Sequence, residues 1–411
     1  MISCREEDVL TIFITLSVIC HGMFFAREWL LIGIPLVAYF LLFKGRKKNN
    51  LSLKDIRGSV RSWLDPPLII FILLIILSLL GLCKPVRSIE GWLEALKWLI
   101  FCTVYFWGRS LSSELELREK IINRILLLAF VCTILSLLPG SEFVWPGPSS
   151  PEQGRFSLTF GYPNAAAAFL GCQILLLQGE RRFKFLYLSI FAMALIGTGS
   201  RAALVLFLGC YSVLFLKKLV LNRKNKKALL KIWKLKLKKI WRVRGFLTVL
   251  PAGIILTLLT FNFNVGLEHL RDWTDIDHNE RFLYYLDSFK LAWQANFLPR
   301  AGGWLAFPFV QTSPYWTLTP HSALSSILLN QGLLGLVLVF TWAVKGFLVY
   351  LRELKHGEDL AVISGQTAVL FLGLHSLVDA DLNFGALGIL FWLLAGLYST
   401  RTPSLRNAYH K

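Results

Sequence analysis

The sequence predicts an all-α, polytopic transmembrane helical bundle of about twelve spans. Three observations carry that expectation. The 411-residue chain is 55% hydrophobic, with a mean hydropathy of +0.57. Apolar runs long enough to cross a bilayer recur along its whole length; ~18 residues of helix reach ~27 Å against a hydrocarbon core of ~30 Å. The formal net charge of +19 is concentrated in a few loops between those runs. A β-barrel is excluded, because its strands alternate over ~10 residues. On a soluble chain such a charge would suggest nucleic acid. Placed between apolar runs it reads as membrane orientation, with membrane lipids and no nucleic acid as partners.

The spans fall near 9–26, 28–43, 66–83, 91–108, 121–138, 164–178, 185–200, 201–217, 246–263, 322–344, 360–378 and 383–400. The first follows Glu6, Glu7 and Asp8 and lacks a small-x-small cleavage site, so it reads as a retained helix. Loop 44–63 holds Lys44, Arg46, Lys47, Lys48, Lys54, Arg57 and Arg61 against one acid, Asp55. Loop 179–184, loop 217–245 and the tail after 400 are also basic, and all fall on one side of such a bundle. The positive-inside rule makes that side cytoplasmic, and with it both termini. Within loop 217–245, Trp233, Leu237, Ile240 and Trp241 share a helical face and Lys234, Lys238 and Lys239 lie off it. That fits an interfacial helix on anionic lipid, or a solvated basic loop. The cysteines sit mostly in apolar runs without a C-x-x-C, as small hydrophobic fillers do.

Four regions follow. Residues 1–150 carry spans one to five. Residues 151–263 carry spans six to nine with two arginine motifs and the basic loop. Residues 264–321 form a long extracytoplasmic loop before span ten, and 322–411 hold the last three spans and a short cytoplasmic tail. A loop as long as 264–321 is usually functional or a folded cap.

The outer side collects the unusual polar residues. Arg155 and Asn164 lie in GRFSLTFGYPNAAAAFL, whose alanines allow close helix packing. Ser200 and Arg201 lie in GTGSRAAL, at a tight turn between two spans. An arginine there snorkels, pairs or serves a function. Arg281 lies in NERFLYYLDSFKLAW. His321 ends the long loop, where it either caps the next helix or does chemistry. His375, Asp379 and Asp381 close span eleven; His375 and Asp379 are spaced to pair on one helical face. Asn164 reads as a structural cap. Arginines grip phosphate oxygens in forked pairs, and a histidine near neutral pKa takes a proton from a hydroxyl. Together they suggest lipid-phosphate chemistry. The chain has no Walker A, H-E-x-x-H or G-x-S-x-G motif and no cytoplasmic D-x-D pair.

The order GRFSLTFGYPNAAAAFL, GTGSRAAL, NERFLYYLDSFKLAW, PHSALSSILLNQGLLGLVLVF and HSLVDADLNFGALGILFWLLAGL resembles the O-antigen ligase/polymerase superfamily over roughly residues 150–400. The resemblance implies a glycosyltransferase of GT-C type in a bacterial cytoplasmic (inner or plasma) membrane. Its donor would be a polyprenyl-diphosphate-linked glycan and its acceptor a hydroxyl of a glycan or lipid, with no metal or cofactor. Arg201 and Arg281 would grip the diphosphate, Arg155 would assist, and His321 would activate the acceptor. Asn164, Ser200, His375 and Asp379 would support them. The chain has Ser322 after the histidine where the family often has Asn, and its Gly-rich stretch is PRAGGWLAF around Gly302 and Gly303. The short tail disfavours the protein-oligosaccharyltransferase branch; ligase and polymerase stay open. A lipid-linked glycan flippase is the alternative, and it would need charged or broken helices near mid-membrane. A non-catalytic scaffold would not need His321.

Overall fold

The computed structural model describes residues 6–44, 65–138, 155–177, 184–224, 280–311, 317, 319–357 and 359–399. Expected span 246–263, most of the basic loops, the interfacial segment around Trp233 and the tail lie outside these residues. The described part is helical, with no strand. A helical segment occupies every other expected span. These are α1 (Glu6–Ile19), a run over 26–44 (α2), α3 (Pro66–Leu80), α4 (Ser88–Leu111), α5 (Leu115–Ser136), α6 (Pro163–Leu176), α7 (Lys184–Gly197) and α8 (Arg201–Lys224). After the undescribed stretch come α9 (Glu280–Gln294), α10 (Ala323–His356), α11 (Leu360–Val378) and α12 (Gly385–Leu397).

Four of the described helices are long and apolar enough to cross a membrane: Pro66–Cys83, Arg201–Leu221, Ala323–His356 and Leu360–Val378. Helices α6, α7 and α12 are apolar but shorter. Helix α4 has the length but carries Glu94 and Lys97 within its expected span. Large apolar side chains on the outside of α8 and α10, such as Val205, Leu208, Leu334 and Phe340, are solvent-exposed in the isolated chain. Water would penalise such a surface and lipid would not.

The chain divides into two compact units, residues 1–121 with 274–348 and 376–411, and residues 122–273 with 349–375. In the first, α4 packs along α12. The seam is closed by small residues: a Cβ at Gly388 would lie 2.4 Å from the Phe101 ring, and one at Gly396 would lie 2.2 Å from the Tyr105 carbonyl. Around it Phe71, Trp98, Tyr105 and Trp342 surround Trp392, with ring centroids 4.6 to 6.2 Å away. In the second, α6 is buried on every side, Ala165 to Ala168 completely. This is the close packing that its alanine run suggests.

Within each unit, residues expected on one side of the membrane meet one another. In the first, Lys120 pairs with Glu7 at 2.7 Å, Arg109 pairs with Asp65, and the Arg118 guanidinium lies 5.3 Å from the Tyr398 ring centre. At its other end the amides of Val86 and Arg87 donate to the Ala301 carbonyl at 2.9 and 3.2 Å. In the second, Lys217 donates to the Leu354 carbonyl at 2.7 Å at one end, and Arg155 meets Thr198 at the other.

One expected feature is seen in part and another departs from the layout. The loop 264–321 contains α9 and a 3-10 segment, Gly303–Phe309, which share a small core of Tyr284, Leu291, Trp304, Phe307 and Leu329. Described residues 280–311 form a folded cap within the first unit, as the length of the loop suggested. The expected span 322–344 is broken. Gly332 has φ 71 and ψ −172, and its place in the helical ladder is taken by a bond from the Leu333 amide to the Phe297 carbonyl at 3.0 Å. A Cβ there would meet Phe297 O at 2.6 Å, so only glycine fits both the dihedrals and the space.

Candidate functional site

Arg281, His321 and Asp379 belong to the first unit, and the structure brings them together. Helix α11 ends at Val378, which leaves Asp379 just past its last residue. The carboxylate is 1% exposed. Its Oδ2 accepts from Arg281 Nη2 at 3.0 Å, and its Oδ1 accepts from the Ala380 amide at 2.7 Å and faces His321 Nδ1 at 3.4 Å. Arg281 Nη1 also donates to the Val378 carbonyl at 3.0 Å, a cation on a terminal helix carbonyl. The sequence suggested that His375 and Asp379 pair along a helical face. Asp379 falls one residue past the end of the helix, where it bonds Arg281 and faces His321.

His321 sits at φ 46, a left-handed conformation that a non-glycine residue adopts only where its surroundings hold it. Asp379 and Tyr284 are among the groups that hold it. Asp379 faces Nδ1, and the Tyr284 ring stacks on the imidazole with centroids 5.5 Å apart and planes 24° apart. Tyr284 is itself fixed edge-on against Trp304. An ionised carboxylate only accepts, so the nitrogen facing Asp379 is the protonated one. In the neutral ring Nε2 then carries the basic lone pair. At the next residue of α9, burial pushes the Tyr285 phenol up; Arg281 opposes that and Asp379 adds to it. Tyr285 is therefore a neutral donor at ordinary pH, 3.4 Å from the Leu377 carbonyl.

Arg155, Asn164, Ser200, Arg201 and His375 belong to the second unit. Arg155 Nε donates to the Thr198 carbonyl at 2.6 Å, and its Nη2 donates to Asn164 Oδ1 at 3.2 Å. Asn164 Nδ2 reaches the Tyr162 hydroxyl at 3.1 Å. Asn164 is not the cap the sequence suggested: that position is Tyr162, followed by Pro163. Its amide oxygen instead accepts from Arg155, which itself reaches the turn between α7 and α8. Gly199, at φ 63, makes that turn. The Ser200 amide donates to Thr198 Oγ1 at 3.3 Å, the Ser200 carbonyl accepts the first bond of α8, and Arg201 opens that helix. His375 is fully buried, its ring 6.1 Å from that of Phe371.

Three groups escaped the sequence reading. Tyr284 stood in a quoted motif without a role, because an aromatic on a helix is ordinarily core. Glu94 and Lys97 form a 2.7 Å ion pair within an expected span, and their charge inside an apolar run was a signal in itself. Comparison of the chain with protein-family models, with curated proteins and with solved structures returns no significant match.

Proposed function

We propose that the protein transfers a glycan from a polyprenyl-diphosphate carrier to an acceptor hydroxyl at the outer face of a bacterial cytoplasmic membrane. It does so as a GT-C-like bundle of about twelve spans with both termini inside. The observation that carries this reading is the Arg281–Asp379–His321 cluster, drawn from three distant stretches of chain. His321 Nε2 accepts the acceptor proton as its oxygen forms the bond to sugar C1. The C1–oxygen bond to the diphosphate breaks on the opposite face, with inversion, and polyprenyl diphosphate leaves. Asp379 fixes the imidazole tautomer and balances the charge that forms on it; Arg281 fixes Asp379. General-base assistance of this kind is typically worth ~10²–10⁴ in rate. A diphosphate needs charge stabilisation more than protonation, and Arg201 is assigned to it on the resemblance. Arg155 serves as the brace of the turn from which Arg201 starts.

A flippase is the second reading, and one observation favours it. The break at Gly332 falls near the middle of an expected span, beside the Glu94–Lys97 pair, as in carriers with discontinuous helices. Proteoliposomes given polyprenyl-diphosphate glycan and an acceptor separate the two. Product together with released polyprenyl diphosphate supports transfer. Glycan crossing the bilayer with the carrier bond intact supports the flippase and overturns transfer.

A further inference from the structure

The first unit holds a polar recess that the proposed chemistry does not use. Glu94 and Lys97 of α4 line it, each 16% exposed, together with Trp98, Ser326, Gln331 and Asn383. The space in it that a water-sized molecule reaches is about 30 Å³. Ala323 and Ala380 also line it; they follow His321 by two residues and Asp379 by one. The recess therefore lies beside the cluster, roughly ten residues or ~14 Å along α4 from its start.

Its polar groups are fixed. Lys97 Nζ donates to Glu94 Oε1 at 2.7 Å and lies 5.3 Å from the Trp29 ring centre. The Gln331 carboxamide satisfies both ends when its oxygen accepts from Ser78 Oγ (2.9 Å) and Trp98 Nε1 (3.1 Å) and its nitrogen donates to the Ile327 carbonyl (3.3 Å). Gln331 directly precedes the break at Gly332, so the broken helix forms one wall.

From this arrangement we infer that the recess binds a neutral, hydroxyl-bearing sugar unit, and that Glu94 and Lys97 are its specificity-determining residues. The two charges cancel, so an anion meets Glu94 and a cation meets Lys97. An apolar group would desolvate both without replacing their bonds. A hydroxyl both accepts and donates, and so answers an ammonium and a carboxylate at once. The recess has room for one or two waters, the size of a hydroxymethyl arm, so the ring of such a sugar stays outside its mouth. That the sugar belongs to a lipid-linked glycan rests on the proposed transfer reading; the chemistry of the recess does not.

The test uses the full chain in nanodiscs and a diazirine-bearing alkyl glucoside as photoprobe, with labelled peptides mapped. Labelling is expected on peptides containing residues 94–98 and 323–331, with competition by free glucose and none by octanol. Glu94→Gln and Lys97→Met should each lower it about tenfold, the worth of one charged hydrogen bond. The exchanged pair Glu94→Lys with Lys97→Glu keeps the ion pair and should retain most of it. Equal labelling in single variants that melt like wild type, or competition by octanol as strong as by glucose, overturns the inference. His321→Ala should label normally. Labelling by a protein that transfers nothing would leave the recess standing and remove the transfer reading. Transfer by a protein whose labelling ignores Glu94 and Lys97 would do the reverse. A polyprenyl-diphosphate monosaccharide as second probe assigns the sugar: stronger protection by it than by glucose marks the donor, and equal protection marks the acceptor.

Discussion

Asp379→Asn keeps the side-chain shape and removes the charge that Arg281 and His321 share. At 3.0 Å and an effective dielectric of ~20, the attraction to Arg281 is about 5.5 kcal/mol before desolvation. The carboxylate is 1% exposed and the arginine 36%, so water reaches one partner only. Screening on that side, and the cost of burying the carboxylate, leave a net loss of about 2 kcal/mol on substitution. For a cooperative unit of roughly 200 residues this lowers the melting temperature by about 4–8 °C. Turnover should fall further, by about 10² or more, because asparagine can present its amide instead of its oxygen to Nδ1 and so invert the tautomer. Thermal unfolding in detergent at a fixed scan rate, alongside transfer rates, measures both. Crossing Asp379→Asn with Arg281→Met should give a coupling of about 1.5 kcal/mol. An Asp379→Asn protein with wild-type melting temperature and turnover would refute the reasoning.

Other outcomes follow from the same structure. Gly332→Ala should cost several kcal/mol, seen as loss of monodisperse protein on heating, since its φ is 71 and its Cβ would meet Phe297 O; Gly346→Ala, with nothing within 4 Å, should be neutral or slightly stabilising. The bond from Lys120 holds Glu7 below the usual carboxylate range. A depressed folded pKa gives stability that is present above the unfolded value and lost as pH falls through the folded one. Wild type should therefore lose melting temperature on acidification below about pH 4 more steeply than Glu7→Gln. Cys83 is exposed at the end of an expected outward span. A variant keeping only that cysteine should react with an impermeant maleimide in right-side-out vesicles and not in inverted ones.

Much of the layout was legible because it depends on local pattern. The alanine run marked α6 for tight burial, and the glycine and serine before Arg201 marked the turn that starts α8. The cap was less so. In α9 the apolar residues occupy both faces: Tyr284 and Leu291 are buried, whereas Phe282, Leu286, Phe289 and Trp293 are exposed. A period of apolar residues does not by itself say which face is covered. The break in α10 was hidden because glycine inside a membrane helix is ordinary; only the approach of Phe297, distant in sequence, requires it. Asp379 was read by its spacing to His375; its contacts with Arg281 and His321 became visible only when residues 281, 321 and 379 met.

The most direct measurement is single-turnover transfer in proteoliposomes with the lipid-linked donor confined to the outer leaflet, comparing wild type with His321→Ala and His321→Gln. The account predicts that wild type forms the inverted glycosidic product and that both variants retain folded protein but lose at least ~10² in rate. Transfer at the wild-type rate by His321→Ala would contradict it.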